Sequence, residues 1–121
     1  MKESQKILRD QDLKVSAFTV RVPVLNGHSE AAWVTLKKKV ELPDILRSFS
    51  SMPAVEVMDQ PNNGIYPTAS QASGHDPVFV GRIHPDRHDP LTWLMWIVAD
   101  NLRVGAALNG IRIAEKIYRI H

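Results

Sequence analysis

Arg21 and His28 lie seven positions apart near the start of the chain and join two kinds of chemistry. The planar fork of a guanidinium matches the paired oxygens of a carboxylate or phosphate, and a strand holds it more firmly than a loop does. Imidazole titrates near neutral pH, so His28 is suited to accept a proton and give it back. By residue types alone, a surface arginine and a turn histidine are the simpler account of the pair. A second group, His84, Asp86 and His88 with His75 nearby, has side chains that bind first-row transition metals. Its spacing fits no closed metal motif, and a solvated, proline-framed connection explains the composition. No metal is expected; His84 and His88 are the residues one would use.

Two further stretches invite a chemical reading. Lys37-Lys38-Lys39 is strongly basic, but successive side chains on a strand point to opposite faces, so the three make a solvated edge that discourages strand addition rather than one patch. Asp100-Asn101-Leu102-Arg103 precedes Gly105-Ala106-Ala107 and reads as a helix start, where free backbone N–H groups gather. Asn101 offers both a donor and an acceptor, which suits an amide or phosphate of a cofactor, although capping is its simpler role. Small residues at 105–107 allow another element to approach closely. The chain has no GxGxxG, no P-loop, no serine nucleophile elbow and no cysteine. A nucleotide-binding unit and a thiol nucleophile are therefore not among these residues.

The elements that must hold these groups follow from hydropathy. At 121 residues, 44% hydrophobic and 23% charged, the chain suits one domain with a modest core. A formal charge of +2 is too small to argue for nucleic-acid binding without a clustered patch. The longest apolar stretch, Leu91 to Ala99, is too short for a membrane span, and the charged start has no export signal, so no membrane partner and a cytoplasmic location are expected.

Lys2 to Leu13 reads as a short helix broken by the Asp10-Gln11-Asp12 turn. Alternation predicts a strand over Val15–Leu25 and another over Ala31–Glu41, with His28 on the bend between them. Leu42, Ile45, Leu46 and Phe49 mark an amphipathic helix, and Val55–Met58, Val78–Ile83 and Thr92–Ala99 read as strands. Val104, Ala107, Ile111, Ala114 and Tyr118 follow a helical stripe. This order predicts an α+β fold, a mixed and largely antiparallel sheet with helices on one face.

Three stretches taken in order carry a family resemblance. Val20-Arg21-Val22-Pro23-Val24 with Gly27-His28-Ser29-Glu30, then Val80-Gly81-Arg82-Ile83, then Asp100-Asn101-Leu102-Arg103 with Gly105-Ala106-Ala107-Leu108-Asn109 and Ile113-Ala114-Glu115, resemble the C-terminal part of aspartate-semialdehyde dehydrogenase. The match runs from Ile7 to Glu115. It implies part of a glyceraldehyde-3-phosphate-dehydrogenase-like C-terminal domain, acting in catalysis and dimerisation over residues 1–121. The activity implied is the NADP-dependent reduction of aspartyl phosphate to aspartate semialdehyde, or the reverse with phosphate, on the route to lysine, threonine and methionine. In such enzymes a cysteine thiolate attacks the acyl carbon, splitting one hard acyl step into two.

By this resemblance His28 is the general base for the hemithioacetal proton, Arg21 grips the substrate carboxylate, and Asn101 contacts the cofactor near its nicotinamide end. The resemblance also implies a homodimer, and a missing N-terminal domain that carries the cysteine and binds most of the NADP. Phe18 stands where some members have a second cysteine, and no role passes to Lys2 or Glu3. The chain by itself is then expected to be inactive. The alternative is a stand-alone, non-catalytic dimerisation or assembly module derived from the enzyme.

Overall fold

The computed structural model describes residues 2–118. Four strands, β1 (His28–Thr35), β2 (Val55–Val57), β3 (Val78–Pro85) and β4 (Thr92–Ala99), form one sheet in the order β1-β4-β3-β2. The β1–β4 and β3–β4 pairs are antiparallel and the β2–β3 pair is parallel, so the sheet is mixed and largely antiparallel, as the α+β reading expects. Among the described residues four α-helices accompany it: α1 (Lys2–Leu8), α2 (Leu42–Ser50), the single-turn α3 (Ala69–Ala72) and α4 (Leu108–Tyr118). None is long and apolar enough to cross a membrane.

Each face of the sheet has its own apolar cluster because side chains alternate along a strand. On one face Val80, Ile83 and Trp93 meet Ile45 of α2, with Leu46, Phe49, Met95 and Ile97 packed around them. Pro43 opens α2 where its missing N–H costs nothing, and the i, i+3, i+4, i+7 stripe delivers Ile45 to the sheet. Burying each such side chain fully contributes about 1.5–3 kcal/mol. On the other face Phe79 and Val98 pack against Ala72 of α3, joined by Met58 and Trp96.

Gly81 marks a close crossing. It pairs with Trp96, and a Cβ there would collide with the Met58 carbonyl and lie 2.6 Å from Pro67 Cδ. The indole Nε1 of Trp96 donates to the Pro67 carbonyl at 3.1 Å, so the 58–67 connection is strapped to this face. Directly after Gly81 the β3–β4 register shifts, and Arg82 takes a positive φ of 52°. That bulge turns the Arg82 guanidinium over the Tyr66 ring, 5.5 Å from its centroid.

Three predicted elements differ. Val15–Leu25 belongs to no strand: alternation describes side chains, whereas a ladder needs a partner, and none of the described residues supplies one. In its one local backbone bond the Val24 N–H donates to the Val22 carbonyl at 2.9 Å, and Phe18 is 93% exposed. The next strand starts earlier than predicted, so His28 is the first residue of β1 and not a bend, and it ends at Thr35 before the lysine run. The last helix starts at Leu108, because Val104, Gly105 (φ 76°) and Ala106 leave helical geometry and break the predicted stripe. No described residue of α4 is buried.

Candidate active-site rim at the start of β1

The β1–β4 register brings distant parts of the sequence to one end of the sheet. His28, first in β1, lies opposite Ala99, last in β4, so the residues before His28 face those after Ala99. The Gly27 N–H donates to Asn101 Oδ1 at 2.8 Å. Glycine suits this place for two reasons: its φ is +108°, and a Cβ would stand 3.1 Å from that of Ala69. One residue earlier, Asn26 Nδ2 donates to Asp100 Oδ2 at 3.1 Å, while Asn26 Oδ1 accepts from Ser73 Oγ at 2.9 Å.

Asp100 is the hub. It is only 3% exposed, yet its carboxylate accepts from the Gly74 N–H (2.8 Å, Oδ2) and the Leu102 N–H (2.9 Å, Oδ1) as well as from Asn26. Those amides, Gly74 first, hold its carboxyl below the usual carboxylate range, with help from Asn26 and the Arg103 charge against the opposing effect of burial. Its own carbonyl accepts from Arg103 and Val104 N–H, so Asp100 caps a short turn and not the first turn of α4. Arg103 in turn pairs with Asp76 at 2.5 Å, which favours the guanidinium's charged form.

The predicted site residues fall on this frame unequally. His28 is exposed, and its Nε2 lies 2.7 Å from Glu30 Oε1, two residues along the same face of β1. A carboxylate only accepts, so the contact assigns the proton to Nε2 and leaves Nδ1 as the acceptor of the neutral ring. Solvent screens this surface pair, so the ring is free to turn toward another partner. Asn101 is exposed too; Gly27 occupies its oxygen, which leaves the amide NH2 as a free donor face. The structure thus brings the His28 and Asn101 segments together. Arg21 is not fixed beside them: it is exposed on the unpaired 15–25 stretch and takes part in no ion pair among the described residues. Asp100, Asn26 and Ser73 escaped the sequence reading as site residues, because hydrogen bonds across 74 and 47 positions leave no local pattern.

The other candidate clusters serve the turns. Asp86 Oδ1 accepts from the His88 and Asp89 N–H groups, and Asp89 accepts from Leu91 N–H and Thr92 Oγ1. His84 and His88 are exposed, and His75 packs edge-on to Phe79 with centroids 6.2 Å apart. Among the described residues no three His, Asp or Glu side chains gather as a metal site would require. The three lysines lie beyond the end of β1, not on it, and Lys39 pairs with Glu41 at 3.1 Å.

Comparison with known proteins gives this geometry a family. Residues 1–104 match the family model described as semialdehyde dehydrogenase, dimerisation domain. An aspartate-semialdehyde dehydrogenase of Legionella pneumophila is 46% identical over 118 residues, covering 97% of this chain and 34% of the relative. One from Aquifex aeolicus is 43% identical over 117 residues, again 97% of this chain and 34% of the relative. The crystal structure of aspartate semialdehyde dehydrogenase II from Vibrio cholerae complexed with ASA superposes with a TM-score of 0.90 at 34% identity, covering 99% of this chain and 35% of that one. The chain therefore spans about a third of the length of the relatives it matches. Sequence and fold agree that this chain belongs to the semialdehyde dehydrogenase family, through its dimerisation domain.

Proposed function

We propose that these residues form the C-terminal part of the catalytic and dimerisation domain of an NADP-dependent aspartate-semialdehyde dehydrogenase. Aspartate semialdehyde, phosphate and NADP⁺ would give aspartyl phosphate, NADPH and a proton, or the reverse. His28 takes the proton of the hemithioacetal and returns it, and Arg21 holds the substrate carboxylate in its fork. The cysteine nucleophile and the nucleotide-binding domain come from sequence outside these 121 residues, so this chain alone turns nothing over. The observation that carries the reading is the Gly27 to Asn101 hydrogen bond, which sets the residue beside the proposed base against the proposed cofactor contact.

The cofactor's role is to accept or supply hydride. What this chain offers it is the Asn101 amide NH2, exposed and oriented by Gly27, and that donor fits the carboxamide oxygen of a nicotinamide. A homodimer would cover part of the apolar surface now open, including Trp33 on β1, which is 63% exposed.

The test exchanges these residues for the matching third of the Legionella enzyme and follows NADPH formation from aspartate semialdehyde. Phosphate-dependent turnover is expected from the chimera and none from the isolated chain. An inactive but folded chimera, or activity in the isolated chain, overturns the reading. The second reading, a non-catalytic assembly module, draws on the exposed apolar run at Phe18, Val20 and Leu25. It predicts mixed dimers with a full-length relative and an inactive chimera.

A further inference from the structure

We propose that Asp100 is a positioning residue that fixes His28 and Asn101 relative to one another. The proposal rests on the roles given above to those two residues and adds the group that places them. Burying a carboxylate is costly unless it is well supplied with donors. Asp100 and Thr92 are the buried polar side chains among the described residues, and of the two only Asp100 is ionisable.

Capping its own turn would need only the Leu102 N–H. Asp100 accepts two more bonds, from Asn26 and Gly74, 74 and 26 positions away. Their placement gives the carboxylate its leverage. Asn26 stands two residues before His28, Leu102 stands one residue after Asn101, and the Gly27 to Asn101 bond closes the ring between them. Ser73 and Gly74 anchor the same ring to the turn that follows α3.

Only an acceptor on both oxygens satisfies this arrangement. Asparagine has the same shape but would aim an NH2 either at the Leu102 N–H or at the Gly74 and Asn26 donors, so Asp100→Asn opposes donor to donor and opens the ring. Asn26→Ala is milder: it cuts the tie to the His28 segment and leaves Asp100 its two backbone partners.

Nuclear magnetic resonance on the intact 121-residue chain reads the effect without any assay. Both variants should leave the β3 and β4 amide signals in place while shifting or broadening those of Gly27, His28 and the Asn101 side-chain amide. If Asp100→Asn does not fold, Asn26→Ala decides. Unmoved Gly27, His28 and Asn101 signals in a folded variant overturn the proposal. In the active chimera, Asp100→Asn should lower kcat by on the order of 10²-fold, the cost of a misplacement of about 1 Å, with a smaller change in KM for phosphate. Unchanged kcat in both variants also overturns it. A wild-type chimera without activity speaks against the enzymatic reading alone, since the resonance measurement still judges the positioning.

Discussion

The two ends of the β3–β4 pair are built from the same residue types and do different things with them. At the hairpin end Asp86 and Asp89 spend their oxygens on N–H and O–H groups two or three positions away, and His84 and His88 are left in solvent. At the other end Asp100 joins segments 74 and 26 positions apart, and His28 and Asn101 are carried on the segments it joins. A local turn closes upon itself and gathers nothing else. A carboxylate that bridges loops fixes their relative position, and that is a requirement of a site.

Mutations can set the ends against each other. The largest effect should come from His28→Ala in the active chimera, where loss of the proposed acid/base group should lower kcat by roughly 10²- to 10⁴-fold. Steady-state kinetics would show it, and a loss below tenfold would erase the functional distinction between the ends. Arg21→Lys should raise KM for aspartate semialdehyde by about tenfold with a smaller change in kcat, because an ammonium keeps the charge and loses the fork.

Acid should separate the ends next. Asp100 at one end and Asp89 at the other both have carboxyls held below their ordinary 3.8, Asp89 chiefly by the Thr92 hydroxyl and the Leu91 N–H. Each contributes stability that is fully present above the unfolded-state value and is lost as pH falls through the lower folded value. Denaturant midpoints measured from about pH 5 to about pH 2 should therefore fall, and Asp100→Asn should flatten that fall more than Asp89→Asn, because its three donors come from three segments. The smallest effect belongs to His84→Ala and His88→Ala, each within about 0.5 kcal/mol in stability and without change in kcat. A marked loss in either would give the hairpin end a role it lacks here.

What the sequence made legible was what physics encodes locally. Leu42, Ile45, Leu46 and Phe49 announce α2 because 3.6-residue periodicity is written in the residues themselves, and the proline-framed turn between β3 and β4 is equally local. Val15–Leu25 misled because alternation specifies faces and says nothing about a neighbour to pair with. The end of the chain misled because Gly105 permits a left-handed step that breaks a continuous apolar stripe. His28, Arg21 and Asn101 are picked out by residue type and take their proposed roles from the family resemblance, whereas Asp100 as a hub is not legible, since only the β1–β4 register brings Asn26 to it.

The crossing at Gly81 carries its own consequence. Because the Met58 carbonyl and the Pro67 ring lie where a first side-chain carbon would sit, a library randomised along β3 should return a single letter at this codon, while exposed Arg82 beside it has room for any side chain and is limited instead by its φ of 52°, which favours glycine, asparagine and aspartate. Selection there acts on clearance between two stretches of backbone, and one methyl group would be enough to pry the overlying strap from the sheet.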